Sequence, residues 1–511
     1  MQTDVVVVGG GPCGLMTALL LGRQGINTVL LEKHPGILNH PKAMGITART
    51  AEILRQLGLL EAIESGQMAR HPDAVSQWLK DGLNGEMLGQ SKATKHDNRF
   101  SPCHAFHCPQ PHIETVLRNA VAECGRVKCL YGALVQDVSQ NQDQVTVAFD
   151  LNGTQDIVSA KYLVAADGDQ SFVRRSLGIE RHGPGELGRF LSVYFKADWG
   201  DQLDGRLAYI SNVLGDDWFE VFVAVNGKDQ WLMHHYLQGD ETAGQYDSAA
   251  LQKIIQHASG FTDREVEVIS TSPWVMSPAI AERWRDGRIF LVGDAAARVS
   301  PAGGLGMNNG LQSAHNLAWK LAHVLSGTQA PSLLDSYEAE RLPAARFTFE
   351  NSGGNSDEVF GIVMAALTGK WDQAKEMISR SRRGGKGFGQ DFGIVYDSGA
   401  VLPDDTVAQT PEDLVNDYIE QARPGHRAPL FDLKAKDKTC SSIDLAGYRF
   451  VAWLGANANA SIFADICPNA TLLVEGRDFE AQARDWKGLY GISSRGGVLV
   501  RPDGYVGARV N

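Results

Sequence analysis

What this 511-residue chain has little of narrows it first. It has no excess of positive charge: 48 Lys and Arg stand against 60 Asp and Glu, a net charge of -12, which argues against a general affinity for nucleic acid or an anionic membrane. Its seven cysteines are an odd number and no basic leader with a cleavage pattern precedes them, so a reducing, cytoplasmic setting is expected instead of a disulfide framework. There is no repeat of fixed period and no low-complexity tract. One uncharged stretch, Val5 to Gly22, has membrane-span length, but Gly9-Gly10-Gly11-Pro12 interrupts it, and it reads as a buried strand followed by a buried helix. The run Cys103-His104-Ala105-Phe106-His107-Cys108 carries metal-type ligands without the second paired cluster that zinc spacing needs. It reads as a sheet element leading to Gln110, and no metal site is expected. At this length two or three domains are the prior.

What is present begins at the start. Asp4 to Val8 is an apolar, β-branched run, and Gly9-Gly10-Gly11-Pro12-Cys13-Gly14 then opens a helical pattern through Leu15, Ala18, Leu19 and Gly22. This is G-x-G-x-x-G in the strand-to-helix context that gives it meaning: Gly9 for the tight turn, Gly11 for approach of a pyrophosphate, Gly14 for close helix packing. A second strand, Thr28 to Leu31, ends in Glu32, placed to hydrogen-bond an adenosine ribose. Dinucleotide binding follows, and the fingerprint alone leaves NAD and FAD both open.

A second strand-loop-helix unit bears on that choice. Ile289 to Val292 is a short apolar run closed by Gly293-Asp294, and from Met307 the apolar residues recur with the four-three spacing of a helix face. Between them, Ser300-Pro301-Ala302-Gly303-Gly304 brings bare backbone to a helix N-terminus, where free N–H groups and the helix dipole favour an anionic or electron-rich group. A distant second acid and a glycine loop suit a long ligand ending in a ribityl chain and an isoalloxazine ring, which selects FAD. The structural alternative, a tight turn that needs only glycine conformations, accounts for the glycines and not for Asp294.

These residues, taken together, resemble the class A flavoprotein aromatic hydroxylases of the para-hydroxybenzoate hydroxylase fold, and particularly the phenol and polyketide hydroxylase branch. His40-Pro41-Lys42-Ala43 with Arg49-Thr50-Ala51-Glu52 is similar to the region where an arginine supports the FAD pyrophosphate. Ala166-Asp167-Gly168-Asp169 resembles the family's Asp-Gly motif, used for FAD and NAD(P)H, and Gly293-Asp294-Ala295-Ala296 its Gly-Asp motif. The resemblance implies a cofactor set of Gly9, Gly11, Pro12, Gly14, Glu32, Lys33, Lys42, Arg49, Gln110, Asp167, Gly168, Gly293, Asp294, Gly304, Gly306, Met307 and Asn308, with Pro301, Gly303 and Gly304 beside the reacting ring. Departures are visible: Ala297 stands where the family has His, Leu305 where Gln is common, Lys42 where Arg is common, and Met44 where some phenol hydroxylases have Asp. No catalytic base carries over directly.

The resemblance also implies the architecture: an α/β fold with a Rossmann-like FAD domain (residues 1–68, 109–180 and 273–350), an antiparallel-sheet substrate domain (69–108 and 181–272), a helical or loop connector (351–400) and a thioredoxin-like C-terminal domain (401–511). The last has Cys440 and Cys467 but no C-x-x-C, so it is expected to pack or dimerise and not to exchange disulfides. The basic, glycine-rich stretch Arg380 to Gly389 reads as a surface loop. In the substrate domain, Arg189 to Trp199 and Trp231 to Leu237 alternate apolar and polar residues, which makes Tyr194, His234 and Tyr236 candidates for meeting a phenol, unless they face solvent. The expected function is hydroxylation of a phenolic or related aromatic, including a polyketide, with NAD(P)H and O₂ through a flavin hydroperoxide. No second G-x-G-x-x-G follows a strand, so NADPH or NADH is expected to bind transiently. A homodimer is left open, and neither nucleic acid nor membrane is an expected partner. A Baeyer-Villiger or epoxidising step on the same fold, and an FAD-holding interaction protein without turnover, are the alternatives.

Overall fold

The computed structural model describes residues 1–66, 68, 74–91, 97–203, 205–381, 387–435 and 438–511. The basic stretch read as a surface loop falls mainly on residues 382–386, outside the described residues.

The opening apolar run forms the strand Gln2–Val8, in which Val5, Val6 and Val7 are fully buried. An unbroken hydrophobic run is what a strand covered on both faces requires. It lies between Thr28–Glu32 and Thr154–Ala165, parallel to both, and the latter also pairs in parallel with Ile289–Leu291. The C-terminal ends of these strands therefore meet at one edge, where ligands of open parallel sheets bind. Helix Pro12–Arg23 packs on this sheet so closely that a side chain at Gly22 would strike Cys124 Sγ and Val127 Cγ2, both 2.7 Å away.

The alternating segments form a second sheet of seven strands. Toward one edge, Gly188–Lys196 pairs antiparallel with both Gln230–Tyr236 and the edge strand Glu267–Met276. As the period-two pattern requires, Leu191, Val193, Phe195, Trp231 and Met233 are buried together on one face. Helix Ser248–Ser259 contributes Leu251, Ile255 and Ala258 to the same core.

A 32-residue helix, Ser336–Leu367, carries Pro343 inside it and runs straight through residue 350, where the FAD domain was expected to end. Its last turns pack Ile362, Val363 and Ala366 against Trp78 and Leu214 of the second sheet. The C-terminal region forms a four-stranded sheet in the order Thr471–Val474, Val451–Leu454, Gly497–Val500, Val506–Val510, the first pair parallel and the others antiparallel. A buried ionic network ties it to the rest: Glu340 and Lys320 from two helices of the first unit meet Arg501 and Asp503, with no exposure of Lys320, Glu340 or Arg501. Among the described residues no helix is long and apolar enough to cross a membrane.

Candidate active site

One cavity of about 1350 Å³ runs between the two sheets, larger than the roughly 300–1,000 Å³ that a single drug-sized ligand occupies. Its near end is the first glycine loop. Gly9 has φ +104°, and a side chain there would lie 2.3 Å from the Ala166 carbonyl oxygen; at Gly14 it would lie 1.9 Å from that of Gly9. Gly11 differs, because a Cβ there would meet nothing within 4 Å and its backbone lines the cavity. The turn and packing roles expected for Gly9 and Gly14, and the open approach expected at Gly11, are thus the local geometry. Helix Pro12–Arg23 has no side-chain cap, so its first N–H groups point at the cavity without a protein acceptor.

The far end repeats the arrangement. Helix Gly306–Leu325 also lacks a side-chain cap, and the preceding loop turns through Gly303 (φ +117°) and Gly304 (φ +67°), with open space where a Gly304 side chain would stand. Asn308 fixes this loop: its Nδ2 donates to the carbonyls of Gly304 (2.8 Å) and Gly45 (2.9 Å), while its Oδ1 accepts from the Thr47 N–H (2.9 Å). Pro301, Gly306 and Met307 complete the wall.

Between the two ends, Asp294 reaches into the cavity and has no hydrogen-bond partner among the described residues. Although its carboxylate opens onto the cavity, the surrounding protein desolvates it, and this burial followed by the nearby charge of Asp169 pushes its pKa up to about 6. Lys42, Gln110, Gly168 and Gly293 also border the cavity. Gln110 begins helix Gln110–Glu123 and donates from Nε2 to Glu114 Oε1 at 2.7 Å. Glu32 is buried behind the first loop, accepting from the Gly10 N–H (2.5 Å) and the His34 N–H (2.7 Å).

Several expected residues lie elsewhere. Arg49 does not face the cavity: it is 3% exposed, pairs with Glu52 at 2.6 Å and donates to the Asp503 carbonyl. Its charge is used at the junction with the C-terminal region, where Arg427 also bonds Glu52. Asp167 points away too, accepting from Ser171 Oγ (2.5 Å) and the Val173 N–H (3.1 Å) at the start of a short helix. Lys33 is on the surface. Of the three phenol-meeting candidates only His234 lines the cavity. Tyr194 donates its hydroxyl to Gln230 Oε1 at 2.8 Å, and Tyr236, 37% exposed, packs on Phe190 at the end of its strand.

Other cavity residues carried no site role in the sequence. Asp169, inside the quoted Asp-Gly stretch, bridges Arg181 (2.7 Å) and Arg298 (2.6 Å), whose cations hold its carboxyl below the usual range despite burial. His107 and Tyr209 stack with centroids 3.5 Å apart in the cavity wall. Met44, in place of an acid, packs against Val223, Val225 and Leu232. Asn351, Gln390 and Asp391 come from the segment read as a connector, and nothing local in their sequence marks them. Among the described residues no group of His, Cys, Asp and Glu could hold a metal ion.

The FAD binding domain family matches residues 2–352. The chain belongs to the FAD-binding flavoprotein monooxygenases. A 4-methyl-5-nitrocatechol 5-monooxygenase of Burkholderia sp is 33% identical over 542 residues, covering 100% of this chain and 94% of that protein. A tetracenomycin A2 monooxygenase-dioxygenase of Streptomyces glaucescens is 32% identical over 547 residues, covering 99% and 93%. Among solved structures, the flavin-dependent monooxygenase PieE in complex with FAD and substrate superposes with a TM-score of 0.94 at 26% identity, covering 100% of this chain and 96% of that one. The chain is therefore a monooxygenase with FAD as its cofactor, and NAD(P)H is the typical co-substrate of the family. Its own geometry fits the cofactor: the uncapped helix behind Gly11 is a ready anion site, and partnerless Asp294 is an acceptor for hydroxyls.

Proposed function

We propose that this monooxygenase hydroxylates a phenolic or related aromatic ring, polyketide aromatics included, using NAD(P)H and O₂. The observation that carries the reading is the continuity of the cavity: it joins the Gly11 helix end, Asp294 and the Gly303-Gly304 loop to an apolar sheet face bearing Phe190, Val221, Val223, Leu232 and Trp274. The backbone at Gly11 and the start of its helix would hold the FAD pyrophosphate, Glu32 the adenosine ribose, and Asp294 the ribityl hydroxyls. The loop at Pro301 to Gly304 and the end of helix Gly306–Leu325 would take the ring edge, where the helix dipole favours negative charge. When bound, FAD supplies the redox chemistry, accepting hydride from NAD(P)H and activating O₂. The protein's part is to orient the aromatic ring against that edge and to keep water out.

No second dinucleotide fingerprint is present, which favours transient nicotinamide binding. The hairpin of Gly497–Val500 and Val506–Val510, set beside the parallel pair Val451–Leu454 and Thr471–Val474, favours a thioredoxin-like sheet, and we read the C-terminal region so. Seven unpaired cysteines suit a cytoplasmic setting. The test is NAD(P)H oxidation against a panel of phenols, with product mass and peroxide measured together. A phenol that stimulates oxidation and gains 16 mass units, about one oxygen atom, supports the reading. Oxidation that yields only peroxide with every phenol opposes it.

A further inference from the structure

We propose that His234 is the residue that recognises the substrate: the Nε2 edge of its ring meets an uncharged hydroxyl on the aromatic ring, and the pocket thereby selects ring alcohols over equally bulky apolar analogues. The inference rests on reading the cavity as the hydroxylation site.

His234 lies in mid-sheet, directly opposite Ser192 on one neighbouring strand and Val221 on the other. Its side chain shares the cavity face with Leu232, Val221 and Val223. On the far side, Phe190 and Trp274 stack at 4.5 Å, and the Trp274 ring meets His234 edge-on at 5.7 Å. The imidazole is thus held in orientation by an aromatic neighbour inside an apolar wall.

The two ring nitrogens differ. Nδ1 is sealed from solvent and has no partner. Nε2 has no protein partner among the described residues and is not sealed, so it is the polar atom that His234 presents to the cavity. The amide nitrogen of Asn212, on the same wall, is already engaged, donating to Ser76 Oγ (3.2 Å) and the Gln77 carbonyl (3.1 Å). Burial pushes the His234 pKa down to about 4, with a smaller contribution from His40, so the ring is neutral near pH 7. A neutral imidazole presents either a lone pair or an N–H at Nε2. A hydroxyl can donate to the one or accept from the other, so it satisfies both tautomers. A carboxylate would find no charge on the His234 ring itself, and a methyl group would leave Nε2 unpaired.

The test uses the FAD-loaded protein without NAD(P)H and reads the perturbation of the flavin absorbance on titration with 2-naphthol and with 2-methylnaphthalene, which are close in shape. The wild type should bind 2-naphthol at least about tenfold more tightly, the loss expected when a buried polar group goes unpaired. His234→Phe should weaken 2-naphthol by a similar factor and leave 2-methylnaphthalene unchanged, while His234→Gln, whose amide offers a donor and an acceptor, should recover to within about threefold. His234→Leu is the second apolar replacement should the Phe variant fail to retain FAD. Equal 2-naphthol affinity in wild type and apolar variant, equal losses in the Phe and Gln variants, or no response to 2-naphthol would overturn the proposal. Because no turnover occurs in this assay, discrimination without later hydroxylation would sink the hydroxylase reading and leave His234's role intact.

Discussion

Removing the Glu340 carboxylate should cost more stability than removing it together with Lys320. The carboxylate accepts from Arg501 Nη1 (2.7 Å) and Nη2 (2.8 Å), Lys320 Nζ (2.7 Å), Asn316 Nδ2 (2.7 Å) and Ser398 Oγ (2.6 Å). Glu340→Met leaves Lys320 buried without its bonded carboxylate, the nearby Asp503 being paired already with Arg501, and breaking such a pair costs about 3–5 kcal/mol, a large share of the 5–15 kcal/mol typical of a folded protein. Lys320→Met/Glu340→Met removes that cation as well, and Arg501 keeps Asp503 at 2.5 Å, so the double variant should lose less. Burial pushes Lys320 down to about 8, whereas Arg501, with Lys320, holds Glu340 far below the usual carboxylate range. Arg501 keeps the carboxylate charged whichever form the lysine takes. A carboxyl group lowered in the native state stabilises above its ordinary pKa, and that stability fades as the pH falls toward the native value. Wild type and Glu340→Met should therefore converge on acidification. Hydrogen exchange at Val451–Leu454 and Gly497–Val500, with urea unfolding beside it, reads the effect. A double variant as unstable as the single one would show that the uncompensated Lys320 is not the source of the loss.

The remaining predictions concern the cofactor. Gly14→Ala must push a methyl into the Gly9 carbonyl, 1.9 Å from its ideal position, so it should abolish FAD retention, whereas Gly11→Ala should fold normally and lose only affinity; flavin content per chain after gel filtration separates the two. Asp294→Asn should weaken FAD roughly tenfold to a hundredfold, as loss of a charged acceptor worth about 1.5–3 kcal/mol implies. Without FAD the sign reverses: a raised carboxyl pKa of about 6 means the native state is penalised as pH rises through that value, so thermal melts of FAD-free Asp294→Asn should exceed wild type at pH 7.5 and match it below pH 4, about the ordinary Asp value. Arg49→Met should loosen the junction with the C-terminal region while leaving FAD affinity unchanged, and a selective loss of FAD would restore the pyrophosphate role to Arg49.

What could be read from the sequence was what is local in it. Gly9, Gly11 and Gly14 act within one turn of chain, and Asp294 follows directly on its strand, so spacing alone located them. The turn of Arg49 toward the C-terminal region was not legible because its partner Asp503 is 454 residues away, and no short motif records which of two acceptors an arginine will choose. Alternation put Tyr194, His234 and Tyr236 on the correct face of their strands. It could not say which part of that face borders the cavity, since that depends on Met44 packing onto it and on the Tyr194 hydroxyl turning to Gln230 of the next strand. Asn351, Gln390 and Asp391 reach the cavity only because helix Ser336–Leu367 continues past the expected domain end, a tertiary outcome with no local signature.

The central claim, that this chain transfers one atom of O₂ to a phenol, is tested most directly by running the FAD-loaded protein with NAD(P)H, a turnover-supporting phenol and ¹⁸O₂, and weighing the product. A hydroxylated ring carrying a single ¹⁸O, formed in step with NAD(P)H consumed, is the expected product. Unlabelled phenol recovered alongside an equivalent of labelled hydrogen peroxide would contradict it.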